Sequence, residues 1–281
     1  MGVVSEIVRA FDARTLGVHS DPDHNRSVIT LAGAPGELAQ AVLEGAGATV
    51  QRLDLRRHRG LHPRVGVLDV APIVHLEEAD RGAACAEALV LADLLGTELG
   101  LPVFLYGVLA GGRTRAELRR GGPERLAARI AGGELKPDFG PARLDPRAGA
   151  VLVAARPPLV AFNMELAPPA TVEQARAIAA AIREGGSEGL PGVRALGLWL
   201  ERAGLAQVST NIEDHRAVPL ATVVAAVARH APIREAELVG LAPRAALADF
   251  PPGLPLRNRA TIEDALAAAG SDRPVGRPNH R

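Results

Sequence analysis

The sequence is nearly without lysine, cysteine and aromatic residues. Lys136 is the sole lysine, so the basic side chains are otherwise arginine. Codon bias gives such a skew, and planar guanidinium forks also suit carboxylates; the two readings are compatible. Cys85 is the sole cysteine, which excludes an internal disulfide and fits a reducing compartment. Set among Ala83, Ala84, Ala86 and Ala88, it reads as a small buried hydrophobe inside a helix. Aromatics make up 2% of the chain, so alanine, leucine and valine must fill the core. The formal net charge is zero. That argues against a large nucleic-acid footprint, which needs a basic face, and leaves room for a local basic pocket. The N-terminus lacks a basic-then-apolar signal segment, and no apolar run approaches the roughly 20 residues that cross a bilayer. A cytoplasmic protein is expected.

What is present is ample apolar material, 47% of 281 residues, enough for one or two domains. Val28 to Leu31 reads as a strand behind a polar loop. Pro35-Gly36 opens a helix to about Val50, and Val65 to Val74 reads as a strand. A long helix from about Ala79 to Leu99 follows, with Ala84, Ala88, Leu91 and Leu95 on one face; Gly100 and Pro102 stop it. Leu101 to Tyr106 is a short buried strand, and Pro123 to Ile130 a short helix between glycine pairs. Lys136 to Ala150 has no periodicity and reads as a long loop of the kind that is often functional. Farther on, Leu159 to Leu166 is a strand, and Thr171 with Gln174 forms a capping box. Val172, Ala175, Ile178, Ala179 and Ile182 make the buried face of the next helix. Val193 to Leu200 and Leu205 to Ile212 form a hairpin. Ala217 to Arg229 is a helix and Glu237 to Leu241 the last strand. That order, β-α-β-β-α-β, is the split βαβ arrangement. The first half suggests a similar order, so two α/β sandwich subdomains are expected, joined near Arg156 to Pro158. The tail from Ser271 to Arg281 is expected to lack structure.

Three clusters could carry chemistry: His19 to Arg26; His58, His62-Pro63-Arg64 and Asp69; and the loop Pro137 to Gly149. The first two admit general acid–base work by histidine or a metal site, for instance a hydrolase using His19, Asp23, His24 and His62. A solvated polar turn at Asp21-Pro22-Asp23 is the bland alternative. His62 precedes proline, so its backbone is held extended, and it sits just before an apolar strand.

The residues resemble the glutamate formimidoyltransferase family. Asp23-His24-Asn25-Arg26-Ser27-Val28 is similar to its strand-entry motif, and Arg57 through Val70, with His62-Pro63-Arg64 inside, to its most distinctive stretch. Leu101 to Gly107, Pro137 to Pro141 with Gly149-Ala150, Ala155 to Asn163, Ala206-Gln207-Val208-Ser209-Thr210-Asn211 and Glu237 to Leu241 follow in the same order, so the match runs from about Val18 to Ala246.

The resemblance implies an α+β fold of two ferredoxin-like subdomains, with a substrate cleft between them. Residues 1–157 would be the N-terminal subdomain, 158–250 the C-terminal one, and 251–281 a partly disordered extension. It implies transfer of the formimidoyl group of N-formimidoyl-L-glutamate to N5 of tetrahydrofolate, a co-substrate, with no metal and with a homodimeric state. His62 would be catalytic. Gly140, Pro141, Ala142, Arg143, Leu144, Asp145, Pro146, Arg147, Ala148 and Gly149 would hold folate, and Asp23, Asn25, Arg26, Arg64 and Arg156 would contact substrate. The chain departs from the family in three places: an opening strand with an Asn-Phe-Ser-Glu-Gly type motif is not seen, His19 stands where an acid is usual, and Ala148 replaces an aromatic. A folate-binding homologue with impaired turnover is therefore the alternative.

Overall fold

The computed structural model describes residues 2–271. The chain divides into two compact units. One holds the residues up to Ala13, Ser20–Ser27 and Gly33–Pro158; the other holds Arg14–His19, Val28–Ala32 and the chain from Leu159 on. The fold is mixed α and β with several sheets.

The chain opens with helix α1 (Val3–Ala10), followed by strands β1 (Arg14–Asp21) and β2 (Arg26–Ala32), which pair as a two-stranded sheet. The sequence suggested a loop where β1 stands: Thr15-Leu16-Gly17-Val18-His19 shows no sustained alternation, and pairing with β2 supplies the order. In the first unit, α3 (Arg81–Thr97) packs on a three-stranded parallel sheet of order β3-β5-β4, formed by β3 (Val70–Val74), β4 (Val103–Leu105) and β5 (Val151–Arg156), and α2 (Leu38–Arg52) packs on α3. This corrects the expectation of a β-α-β-β-α-β order in this half. The central strand, β5, lies within a stretch the sequence did not mark. Its run Val151 to Ala155 is fully buried, so it has no alternation to reveal it. Ala84, Ala88, Leu91 and Leu95 of α3 do form the buried face that packs on Val103, Val151 and Val153. Cys85 is half-buried at the margin of this core.

Buried Glu87 of α3 reaches the start of α2, accepting from the backbone N–H of Gly36 and, at 2.7 Å, of Ala39. It thus satisfies donors that a helix N-terminus leaves unpaired. Two shorter helices, α4 (Arg115–Arg119) and α5 (Gly122–Ala131), complete the unit. Leu118, Leu126 and Ile130 of these helices pack on Phe104 and Leu152, the other face of the sheet.

In the second unit, β6 (Val160–Leu166), α6 (Val172–Ile182), β7 (Val193–Leu200), β8 (Leu205–Ile212), α7 (Leu220–Ala228) and β9 (Ile233–Leu238) follow one another. Their sheet order is β9-β6-β8-β7, antiparallel throughout. Thr171 caps α6 with the reciprocal bond to Gln174 that the sequence indicated. Phe162, Met164, Val208 and Leu238 meet Ile178, Ile182, Val223 and Val227 in one core. Beyond residue 250, β10 (Leu256–Arg257) adds a parallel fifth strand beside β9, and α8 (Ile262–Ser271) ends the described chain. The sequence reading placed no element there. The tail expected to lack structure lies, past Ser271, outside the described residues.

Candidate active site

Two of the three sequence clusters meet in the first unit. The turn between β1 and β2 carries Asp21 to Arg26, and the segment after α2 carries His58 to Arg64. Leu61 N–H donates to the Asp23 carbonyl (3.4 Å) and the Asn25 side-chain amide donates to the Arg59 carbonyl (2.7 Å). Gly60 permits this approach, because a Cβ there would overlap the His24 carbonyl oxygen. Arg64 braces the loop from within. Its guanidinium donates to the carbonyls of Gly60 (3.1 Å), His62 (3.3 Å) and His58 (3.2 Å).

His62 lines a cavity of about 400 Å³ together with Gly60, Arg64, Arg119 and Gly121-Gly122. Burial and the nearby charges of Arg26, Arg119 and His24 push its pKa down to about 2. The imidazole is therefore neutral in the free protein, and its protonated form is disfavoured. The sequence pointed to a value near neutrality, because it could not show the burial or the two guanidiniums. His58 is likewise shifted down by burial and by Arg64 and Arg59.

Asp21 of the turn pairs with His24. Asp21 Oδ1 lies 3.0 Å from His24 Nδ1 and accepts the His24 backbone N–H at 2.8 Å. Burial alone would raise the Asp21 carboxyl; the His24 ring and backbone outweigh that and hold it well below the usual carboxylate range. The His24 ring, itself buried, stands 6.4 Å from the His62 ring, centroid to centroid. Asp21 and His24 thus form a close pair beside His62, with His24 meeting His62 by a ring contact; the sequence left His24 without a role.

Arg119 is the residue that sequence reasoning missed. It pairs with Asp69, whose other oxygen accepts Val65 N–H at 2.8 Å just after the His62 loop. Its only sequence signal was Arg119-Arg120 before Gly121-Gly122. Beside it, Arg113, Arg120, Arg125 and Arg129 line a separate recess of about 580 Å³.

The third cluster is stitched to the same region. Gly149, at φ +77°, bridges Gly66, and a side chain there would overlap the Val65 carbonyl. Val67 N–H donates to the Ala148 carbonyl (2.9 Å) and Leu55 N–H to the Arg147 carbonyl (2.7 Å). Asp145 shapes the turn by accepting from the N–H groups of Arg147 (2.6 Å) and Ala148 (3.1 Å). The far end of the loop thus lies against the segment Val65 to Val67 that follows His62. Arg156 stands apart at the end of β5, where it donates to the Pro157 carbonyl (2.9 Å). His19 belongs to the second unit, beside Glu237 and Asn258. Among the described residues, no group of three or more His, Cys, Asp or Glu side chains is placed to hold a metal ion.

Residues 1–156 match the N-terminal subdomain of the formiminotransferase domain, and residues 161–251 match the formiminotransferase domain. The chain belongs to the formiminotransferase family. A glutamate formimidoyltransferase of Thermoplasma acidophilum is 35% identical over 247 residues, covering 84% of this chain and 80% of the relative. One of Streptococcus pyogenes is 33% identical over 242 residues, covering 83% and 80%. The formimidoyltransferase-cyclodeaminase of Sus scrofa is 40% identical over 249 residues, 83% of this chain. The chain spans 45% of the length of that relative. No helix among the described residues is long and apolar enough to cross a membrane.

Proposed function

We propose that this protein transfers the formimidoyl group of N-formimidoyl-L-glutamate to N5 of tetrahydrofolate, acting as a homodimer in the cytoplasm without a metal. The observation that carries this reading is His62: a neutral imidazole between guanidiniums, in a chain of this family. The proposal assigns Gly140 through Gly149 to folate, residues 1–157 to the N-terminal subdomain and residues 158–250 to the C-terminal one, with an extension beyond. The strand order of the second unit supports reading that subdomain as ferredoxin-like.

The amidine carbon of the donor is electrophilic and N5 is the nucleophile. As the N5–C bond forms, His62 takes the N5 proton. It then returns that proton to the glutamate nitrogen, the carbon–nitrogen bond breaks, and free glutamate leaves with 5-formimidoyltetrahydrofolate behind. No covalent enzyme intermediate is required. Such proton transfer contributes about 10²–10⁴-fold, and alignment of the two substrates supplies much of the rest. A pKa near 2 makes His62 a weak base in the free protein. Substrate carboxylates bound by Arg26 and Arg119 would offset the repulsion and raise it toward the working range. Asp23, Asn25, Arg64 and Arg156 are proposed as further substrate contacts. Through the loop carbonyls it holds, Arg64 also positions His62.

The test is release of glutamate from N-formimidoyl-L-glutamate by wild type and His62→Ala, with and without tetrahydrofolate. The reading predicts folate-dependent release that falls at least about 100-fold in the variant. Folate binding by a wild type that releases nothing would instead select the impaired homologue.

A further inference from the structure

The turn between α4 and α5 carries two adjacent arginines that serve different surroundings. Arg119 lines the cavity of His62, and Arg120 lines the separate recess beside it. An acid singles out the first. Asp69 pairs with Arg119 Nη2 through one carboxylate oxygen. Its other oxygen accepts Val65 N–H at 2.8 Å, just past His62-Pro63-Arg64. One carboxylate thus grips both the loop that carries His62 and the guanidinium that shares its cavity.

The pair is largely withdrawn from solvent, with the Arg119 side chain 12% and the Asp69 side chain 20% exposed. It leaves the guanidinium incompletely satisfied. Arg119 Nε is buried and, among the described residues, meets no acceptor. A buried charged donor left open is costly for a purely structural strut. The missing partner must be an acceptor, because a guanidinium carries donors alone. Since Arg119 lines a cavity, a bound anion can supply it.

Resting on the transfer reaction proposed above, the anion is a substrate carboxylate, and chemistry selects which one. The carboxylates of tetrahydrofolate lie beyond the aminobenzoyl ring from N5. The α-carboxylate of the donor is borne by the same carbon as the nitrogen that leaves. A cation in the cavity of the group that protonates that nitrogen therefore meets the donor's α-carboxylate. We propose that Asp69 is a positioning residue, which holds Arg119 beside His62 for the α-carboxylate of the formimidoyl donor. With the guanidinium fixed beforehand, its orientation need not be found on binding.

Asp69→Asn separates the two grips. Its amide oxygen can still accept Val65 N–H, while its NH2 group opposes Arg119. Steady-state kinetics should show the KM for N-formimidoyl-L-glutamate raised about tenfold, a larger change than the fall in kcat. The KM for tetrahydrofolate should stay within about twofold of wild type. A carboxylate that only stapled the loop would instead displace His62, lowering kcat and sparing the donor KM. In an Arg119→Met background the guanidinium is gone, so Asp69→Asn should shift the donor KM by less than about twofold more. If circular dichroism shows that Asp69→Asn does not fold, Asp69→Glu takes its place. That variant keeps the charge and displaces the guanidinium, so the same donor-selective rise is expected. A donor KM that stays fixed or falls would overturn the proposal, as would an effect of equal size with and without Arg119. If wild type makes 5-formimidoyltetrahydrofolate and the donor KM behaves in that way, the positioning assignment fails alone. If folded wild type makes no product, the transfer reading fails and the assignment with it.

Discussion

Acidification from pH 7 to about 5.5 should destabilise the first unit through His62, and His62→Asn should remove that part of the loss. In the unfolded chain His62 titrates near its ordinary 6.5, and in the folded protein near 2. Between those values the unfolded chain holds a proton that the folded chain does not. Stability from the neutral ring is thus fully present above the unfolded value and falls as the pH drops below it. One pH unit is worth at most about 1.4 kcal/mol, so integration over this window gives an upper bound of about 1.2 kcal/mol. His62 keeps partial solvent access, and screening reduces the expected figure to about 0.5–1 kcal/mol. Asp21 is held below its ordinary 3.8, so its own stabilisation is lost only at lower pH, outside the window. His58 and His215, also shifted down, act equally in both proteins and cancel in the difference. Urea denaturation should be followed by far-UV circular dichroism, because the sole tryptophan, Trp199, lies in the second unit and is blind to the first. Parallel stability curves for wild type and variant would refute the buried, neutral His62.

Other outcomes follow from the same contacts. Glu87→Ala leaves two N–H groups at the start of α2 without their acceptor and should destabilise the first unit by about 2–4 kcal/mol, measured in guanidinium chloride. Gly60→Ala forces the His62 loop off the turn at His24 and should lower turnover at least about tenfold with an unchanged circular dichroism spectrum. Arg119→Met removes a cation beside His62, so the His62 ring, followed by NMR, should titrate at higher pH than in wild type.

The parts of the fold legible in the sequence are those with strong local periodicity. The first strand of the β7–β8 hairpin opens with alternating burial from Val193 to Leu196, α6 announces its start with Thr171 and Gln174, and α3 carries its apolar stripe over several turns. What escaped notice depends on partners distant in sequence. The fully buried β5 has no alternating face, and the polar β1 is ordered by β2. The site divides in the same way. Histidines before proline or in a polar turn attract attention as residue types. The pairing of Asp21 with His24, the ion pair of Arg119 with Asp69, and the downward shift of His62 all arise from contacts across the fold.

In the transfer proposed above, His62 moves the proton from tetrahydrofolate to the departing glutamate. The most direct measurement is single-turnover formation of 5-formimidoyltetrahydrofolate, monitored together with glutamate release, in wild type and His62→Ala at saturating tetrahydrofolate. Stoichiometric product and glutamate are expected in wild type, and a rate reduced about 10²–10⁴-fold in the variant with folate affinity little changed. Equal rates in the two proteins, or glutamate release by wild type without tetrahydrofolate, would contradict it.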